Sequence, residues 1–521
     1  AAYKNSLFDK DLYDRINIDY DQFKNQRSFY TVSQELCKWI SNNKNKPFMA
    51  YVHVDDAHYT ENFFTYDTND IKKIDNDFKR IDDYLNKLPK KYYGSIAYDL
   101  ALLYCDNAIK NIFKYLKLEG KVIATTGTNG KTMTNNMIGK ILTDSGKTII
   151  TNAEGNNMET GILSVLIKNC TLSGKVKADY FVFETDESYV PILYKMIPLD
   201  CLVILDFFRD QLDRAGEVET IILKNKKFLE KYKGKLVLNA DDPNVSRLGK
   251  ANKNNKNVYY FRVDKYKYAT NELKEAGEGK FCPFCNTRLK YEYYQYAHIG
   301  KFKCPKCNYG ENEIYNEIAD VDLENKTFKI NDQEYKTQFN NIYAIYNIAA
   351  ATTVAKLFKV KEKSVKETIE KFVLNNGRLE KMKISGCETI INLAKNPTGA
   401  NVSLRLLKED KNNKELLFVL NDNIADGKDV SWIWDINFED LENVDRIITA
   451  GTRPYDIAIR IKVSGYPAEK IIPCTTIEEA VNHLYETQGK KYVITNYTSV
   501  QPTRHELIKF KEKSEENHER D

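Results

Sequence analysis

A lysine followed by a threonine, at the end of a glycine-bearing turn, is where this 521-residue chain first spells out chemistry. The run Gly127-Thr128-Asn129-Gly130-Lys131-Thr132 follows an apolar, β-branched stretch, Val122 to Thr126, that suits a buried parallel strand. A helical spacing of Met137, Ile138, Ile141 and Leu142 comes after it. A strand–loop–helix succession of this kind aims backbone N–H groups at phosphate oxygens. Lys131 supplies a cation for the β- and γ-phosphates, Thr132 a hydroxyl for Mg²⁺, and the helix start its dipole. Thr125 stands where the common pattern has its first glycine, so the loop is a variant. The alternative is a structural glycine turn with a surface lysine. The full context favours ATP with Mg²⁺.

The second chemical signal is Cys282-Pro-Phe-Cys285 with Cys304-Pro-Lys-Cys307. Each pair makes a knuckle, and four thiolates complete a tetrahedral Zn²⁺ site with no position left for water, which makes the metal structural. Two disulfides are the competing reading, disfavoured by adjacent CxxC pairs in a chain whose other six cysteines are scattered. Between the knuckles, Tyr291 to Lys303 reads as strands of a small ribbon, and Tyr309-Gly310 permits a turn after the last one.

A length of 521 residues suggests several domains. The 78 basic and 74 acidic side chains are interspersed, for a formal charge of +4, so there is no strong case for nucleic acid or an anionic membrane as partner. No stretch approaches a membrane span. With scattered, reduced cysteines, the composition points to a cytoplasmic protein.

The spelling TGTNGKT resembles the ATP loop of the Mur ligase family. Further segments follow in that family's order. Residues 148–162, TIITNAEGNNMETGI, resemble its substrate loop. In ADYFVFETDES (178–188) a buried strand ends in acids, and Glu184 stands where the family has a Mg²⁺ ligand. A carboxylate there serves the chemistry, because a triphosphate must be neutralised. LDFFRDQLDRAGE (205–217), with Asp206 replacing the usual Asn, and the Cys₄ insertion both resemble the MurT-type subunits of lipid II isoglutaminyl synthase. LVLNADDP (236–243) continues the same domain. NNIYAIYNIAAATTVA (340–355) resembles the adenine-contacting segment, with Asn347 as recognition residue, although Asn341 and Ala344 replace the usual Gly and Asn. NNGRLEKM (375–382) resembles the hinge into the last domain, which implies that Arg378 stabilises γ-phosphate charge. LAKNPTG (393–399), ADGKDVSWIWD (425–435) and TAGTRPYDIAIR (449–460) resemble the MurT-type C-terminal domain. By that resemblance Lys395 holds the acyl phosphate or lipid-linked substrate. An aspartate of this domain completes the Cys–His pair of a partner glutaminase: Asp429 first, with Asp435 and Asp426 behind it.

The implied fold is α/β: a Mur-ligase P-loop ATPase domain over 118–380 with a zinc ribbon inserted at 278–312, then a Rossmann-like α/β domain over 381–521. Residues 1–117 resemble an interior piece of the sulfatase and alkaline-phosphatase superfamily. They lack its nucleophile loop and most of its metal ligands; His53, His58, Asp55 and Asp56 alone cannot hold the usual metals. A non-catalytic α/β fragment is expected there. The implied activity is ATP-dependent amidation of the D-glutamate α-carboxylate of the lipid II stem peptide. Ammonia comes from a GatD-type glutamine amidotransferase subunit in a heterodimer, since no Cys–His pair places a glutaminase within this chain. The expected location is the cytoplasmic face of the membrane. Two other readings are an amino-acid-adding Mur-like ligase, and a sulfatase-like hydrolase or zinc-ribbon binding protein with a degenerate ATP loop.

Overall fold

The computed structural model describes residues 112–518 except 153–155, 172, 209–217, 252–255, 273–278, 374–377, 424 and 442. The sulfatase-like assignment of the N-terminal region, with His53, Asp55, Asp56 and His58, lies outside them. The chain divides into a smaller unit of residues 1–120, 159–179 and 195–197, and a larger unit holding the rest.

The larger unit is built on two sheets. Strands β1 (Lys117–Thr126), β2 (Ile149–Thr151), β3 (Lys175–Glu184), β4 (Cys201–Ile204), β5 (Lys235–Asn239) and β6 (Val258–Val263) belong to the first. The hairpin β7 (Lys290–Tyr296) and β8 (Ile299–Lys303) leaves that sheet before β9 (Ile314–Asp322), β10 (Thr327–Ile330) and β11 (Gln333–Lys336) rejoin it. The strand order is β11-β10-β9-β6-β5-β4-β1-β3-β2. β1, β4, β5, β6 and β9 pair in parallel succession, as do β2 and β3, and β10 and β11 add an antiparallel edge beyond β9. Central strands such as Cys201–Ile204 are buried along their whole length, which is why they read as unbroken apolar runs. Helix α1 (Lys131–Asp144) packs Met137, Ile138 and Ile141 onto this sheet. The apolar positions of α3 (Ile342–Leu357) give no single stripe, because it is buried nearly all round; Ala349, Ala350 and Ala351 keep it close to its neighbours. In the smaller unit, α2 (Glu159–Lys168) buries Ile162, Leu163 and Leu166.

The second sheet has the order β12-β13-β17-β14-β15-β16, from β12 (Arg378–Ile384), β13 (Cys387–Leu393), β14 (Lys414–Val419), β15 (Val444–Ala450), β16 (Ile471–Pro473) and β17 (Lys490–Thr495). Only β12 is antiparallel. Alternate residues of β14 face opposite cores: Leu416 and Phe418 join the helices α4 (Pro397–Glu409) and α5 (Pro454–Val463), whereas Leu417 and Val419 join α6 (Ile477–Leu484) and α7 (Val500–His518). This is a doubly wound sheet, in which ligands bind beyond the carboxyl ends of the strands. Among the described residues no helix is long and apolar enough to cross a membrane.

Candidate functional site

β1 delivers the chain at the carboxyl edge of the first sheet into the loop 127–132, and α1 begins at Lys131. Two glycines of the loop are demanded by contact as well as by backbone angle. Gly130 caps α1 with φ +78°, and a Cβ there would stand 2.1 Å from Asn347 Oδ1; at Gly127 (φ +135°) it would press on the Asp206 backbone at 3.0 Å. The loop is laced to the chain end of β4. Thr128 N–H donates to Asp206 O at 2.9 Å, Asn129 N–H to Asp206 Oδ1 at 2.7 Å, and Phe208 N–H to Thr128 Oγ1 at 3.0 Å.

Lys131 is buried, its Nζ 3.1 Å from Glu187 Oε2, and it donates to the carbonyls of Gly127 and Thr128. Glu187 is a residue the sequence reading passed over. It lies three positions after Glu184, and a lysine buried in a loop needs a counter-ion; that requirement was the available signal. Glu184, Glu187 and Asp206 are all buried, with Glu187 paired to this lysine. A triphosphate adds to that negative charge, so a divalent cation must accompany it. The residues fit one. Thr132 Oγ1 is buried and has no hydrogen-bond partner among the described residues, and Glu184 Oε1 has only a long contact, 3.5 Å, from Asn157.

A recess beside the loop is lined by Asn129, Gly130, Asp206, Tyr296, Tyr343 and Asn347, among others. Its walls are aromatic: the Tyr296 ring centre lies 4.0 Å from Tyr343 and 5.7 Å from Tyr346. Asn347 donates to Met133 Sδ at 3.3 Å, and α3 is fixed in rotation by Tyr346, whose hydroxyl donates to Asp241 Oδ2 at 2.7 Å. Asp241 also receives Arg262 Nε at 2.8 Å. Neither Asp241 nor the tyrosines were singled out from sequence, because their roles depend on strands far apart in the chain.

Burial, opposed by the Asn129 N–H and reinforced by Asp242, pushes the Asp206 carboxyl up to about 7. A free aspartate titrates near 3.9, so between about pH 4 and 7 the folded chain binds a proton that the unfolded chain has lost. The stability due to this group therefore falls as pH rises through that window. Asp206→Asn, which keeps the acceptor for Asn129, is expected to stabilise the protein by roughly 1–3 kcal/mol at pH 8 and hardly at all at pH 4. Urea denaturation at the two pH values measures this, and equal effects at both would exclude a raised Asp206.

The four cysteines gather as their spacing predicts. Sγ separations are 3.5 Å for Cys282–Cys307, 3.4 Å for Cys285–Cys304 and 3.7 Å for Cys285–Cys307. Thiolates around one Zn²⁺ at ~2.3 Å stand ~3.7 Å apart, whereas a disulfide needs ~2.05 Å, so the cluster fits the metal and not the bridge. The turn that closes each knuckle is made by Asn286 and Asn308, both at φ +55°, with Gly310 following at φ +105°. The β7–β8 hairpin rising from the ribbon carries Tyr296 and His298 against Phe208, ring centres 6.2 and 4.4 Å away, so the ribbon props the aromatic recess.

The second sheet contributes the loop 393–399. Asn396 caps α4 by accepting from Gly399 N–H at 2.8 Å and donates to Asn129 Oδ1 at 3.2 Å, which sets this loop against the phosphate loop. Lys395 beside it is half-buried. Arg378 begins β12, paired with Asn392. The three candidate aspartates are treated differently. Asp426 is buried and accepts from Thr498 N–H at 2.8 Å and from the Thr498 hydroxyl, tying together the ends of β14 and β17. Asp429 and Asp435 are exposed. Asp429 Oδ1 accepts from Ser431 N–H at 2.8 Å, which lowers its pKa and keeps it ionised.

A parallel sheet ending in a phosphate loop, an aromatic recess beside it and a second doubly wound sheet laid against the loop define a ligase of the Mur class. Residues 125–316 match the Mur ligase middle domain, and 393–500 the MurT ligase C-terminal family. The chain is 34% identical over 389 residues to the MurT subunit of the glutamine-hydrolysing lipid II isoglutaminyl synthase of Staphylococcus aureus, covering 74% of this chain and 87% of that one. It is 32% identical to the corresponding subunit of Streptococcus pneumoniae, covering 75% and 88%. It therefore belongs to the family of MurT subunits of lipid II isoglutaminyl synthase. Among solved structures, a pseudomurein peptide ligase type C from Methanothermus fervidus superposes with a TM-score of 0.59 at 25% identity, over 77% of this chain and 81% of the other.

Proposed function

We propose that this chain transfers the γ-phosphoryl group of ATP to the α-carboxylate of D-glutamate in the lipid II stem peptide, at the cytoplasmic membrane face. ADP leaves and an acyl phosphate remains. Ammonia from a GatD-type glutaminase subunit then attacks the acyl carbon, the C–O bond to phosphate breaks with its electron pair on phosphate, and the nitrogen sheds a proton to solvent. The product is D-isoglutamine. Residues 118–380 form the ATP-binding domain in this reading, and 381–521 the domain that meets substrate and partner.

Gly130, Lys131 and Thr132 present the first backbone N–H groups of α1 to the phosphates, the Lys131 side chain steadies the transferring group, and Asn347 faces the base. Thr132 and Glu184 would hold Mg²⁺, which supplies charge neutralisation at the γ-phosphate. Cys282, Cys285, Cys304 and Cys307 would hold a structural Zn²⁺. Arg378 balances charge at the phosphate and Lys395 holds the acyl phosphate or lipid-linked substrate. The observation that carries the reading is the Asn396–Asn129 hydrogen bond. It sets the loop of Lys395 against the loop of Lys131, so a carboxylate held by one lies beside a phosphate held by the other.

Exposed and ionised, Asp429 is the acid suited to orient a histidine in a separate subunit, with Asp435 second. Asp426, spent on Thr498, is the least suited. Mixing the chain with a GatD-type subunit, glutamine, ATP, Mg²⁺ and lipid II is expected to yield an amidated stem peptide, read by mass spectrometry. Amide formation that needs an added amino acid and ignores the glutaminase would replace this reading with an amino-acid ligase. Asp429→Asn is expected to lower glutamine-driven amidation by on the order of 10³-fold while leaving amidation from added ammonium within twofold of wild type. An equal fall with both nitrogen sources would remove Asp429 from the partner's site.

A further inference from the structure

A second set of metal-ligating side chains lies at the edge of the second sheet, away from the cysteine ribbon. Cys474 directly follows β16, Glu479 lies in the first turn of α6, and His483 is one turn further on. One ligand atom of each, the Cys474 Sγ, a carboxylate oxygen of Glu479 and a ring nitrogen of His483, lie within 4.8 Å of one another. We propose that Cys474, Glu479 and His483 form a Zn²⁺ site with water in the fourth position.

The three residues are held where an ion needs them. Cys474 N–H donates to Thr449 O at 2.8 Å, which locks the strand end. Thr476 caps α6 by accepting from Glu479 N–H at 3.1 Å, and Glu479 Oε2 accepts in return from Thr475 N–H at 3.0 Å. A capping role explains why an acid stands there, but a carboxylate has about four acceptor positions, and the cap orients it without exhausting it. Glu479 and His483 are four apart and share a helix face.

The surroundings of His483 separate a ligand from a plain surface histidine. Its Nδ1 lies 2.8 Å from Glu486 Oε1; Glu486 Oε2 is held by Arg446 Nη1 at 2.8 Å, and Arg446 Nη2 donates to His483 O at 2.8 Å. A metal-bound imidazole gives its other N–H to a carboxylate that fixes tautomer and ring plane, and Glu486 occupies that role with Nε2 left for the ion. A thiolate, an imidazole and a carboxylate together suit Zn²⁺ and disfavour Mg²⁺ or Ca²⁺, which take oxygen ligands. Tetrahedral ligand atoms stand about 3.5 Å apart, so closure requires a small movement of Glu479 and His483, the two ligands that reach solvent. Binding releases the Cys474 thiol proton to solvent.

The test uses the full chain, with its four-cysteine cluster already loaded with zinc, and Co²⁺ as the probe. One further Co²⁺ per chain is expected, with thiolate-to-cobalt charge-transfer absorption. Cys474→Ser should abolish that absorption, and His483→Ala should weaken Co²⁺ binding at least tenfold. Glu486→Gln lies in the exposed turn after α6 and keeps an acceptor for Arg446. It should weaken binding about tenfold, with circular dichroism and ATP binding unchanged. No absorption at excess Co²⁺ would overturn the proposal. So would absorption that survives Cys474→Ser, since that signal would come from exchange into the ribbon cluster.

Discussion

Replacing Lys131 by alanine is expected to lower ATP-dependent amidation by roughly 10³-fold, whether nitrogen comes from glutamine or from ammonium. The lysine is the cation built into the loop, and its removal strips charge stabilisation from the transferring phosphoryl group. The substitution also has a structural cost, because Lys131 and Glu187 are a buried pair 3.1 Å apart. Leaving Glu187 without its partner costs on the order of 3 kcal/mol, so loss of activity in the single variant does not separate catalysis from folding. The double variant Lys131→Ala with Glu187→Gln removes that objection. It is expected to recover most of the lost stability in urea denaturation and none of the activity. A double variant with activity within tenfold of wild type would take the phosphate-loop role away from Lys131. One that stays as unstable as the single variant would show that Glu187 is not its counter-ion.

The second large effect is expected from the ribbon, more than a hundred residues beyond the phosphate loop in sequence. Cys304→Ser opens the tetrahedron, and structural zinc in small domains contributes about 10–16 kcal/mol of binding free energy to folding. The loss should not stay local. Gly300 N–H donates to Asp241 O at 2.9 Å, and the Tyr309 hydroxyl donates to Pro243 O, so the ribbon is clamped to the turn after β5. That turn holds Asp241, which anchors Tyr346 and with it Asn347. The hairpin also carries Tyr296 and His298 against Phe208. Zinc loss is therefore expected to weaken ATP binding at least tenfold and lower the thermal midpoint by about 5 °C or more. Calorimetric titration of the variant with a non-hydrolysable ATP analogue reads the first effect directly. A zinc-free variant that binds the analogue as tightly as wild type would reduce the ribbon to an independent appendage.

How much of this was legible beforehand follows the range of the interactions. The phosphate loop could be read because strand, glycine turn and helix are contiguous and each has a local signature. Only the two glycines and the Lys-Thr pair satisfy the backbone geometry and the charge together. The cysteine ribbon was legible for a similar reason: a knuckle is a local turn, and four thiolates need only two of them. Even there, the residue closing each knuckle was less obvious. The turn after the second pair is made by Asn308 at φ +55°, whereas glycine was the natural expectation. Among the three acids of 425–435 the resemblance put Asp429 ahead of Asp435 and Asp426 by motif position alone, and folding separates them physically. Asp426 is spent on Thr498, 72 residues away, whereas Asp429 and Asp435 face solvent.

Sequence alone thus determined the strand–glycine loop–helix, the two cysteine knuckles and the α/β alternation, because each rests on residues within a few positions of one another. Tertiary structure decided the rest. It paired Lys131 with Glu187, made Asp206 a buried acid accepting from Asn129, and brought Asn396 of the second sheet onto the first sheet's loop. The physical reason is that strands adjacent in a parallel sheet are joined by long crossovers. Their carboxyl ends therefore gather side chains from scattered parts of the chain into one site, and no spacing within the sequence records that gathering.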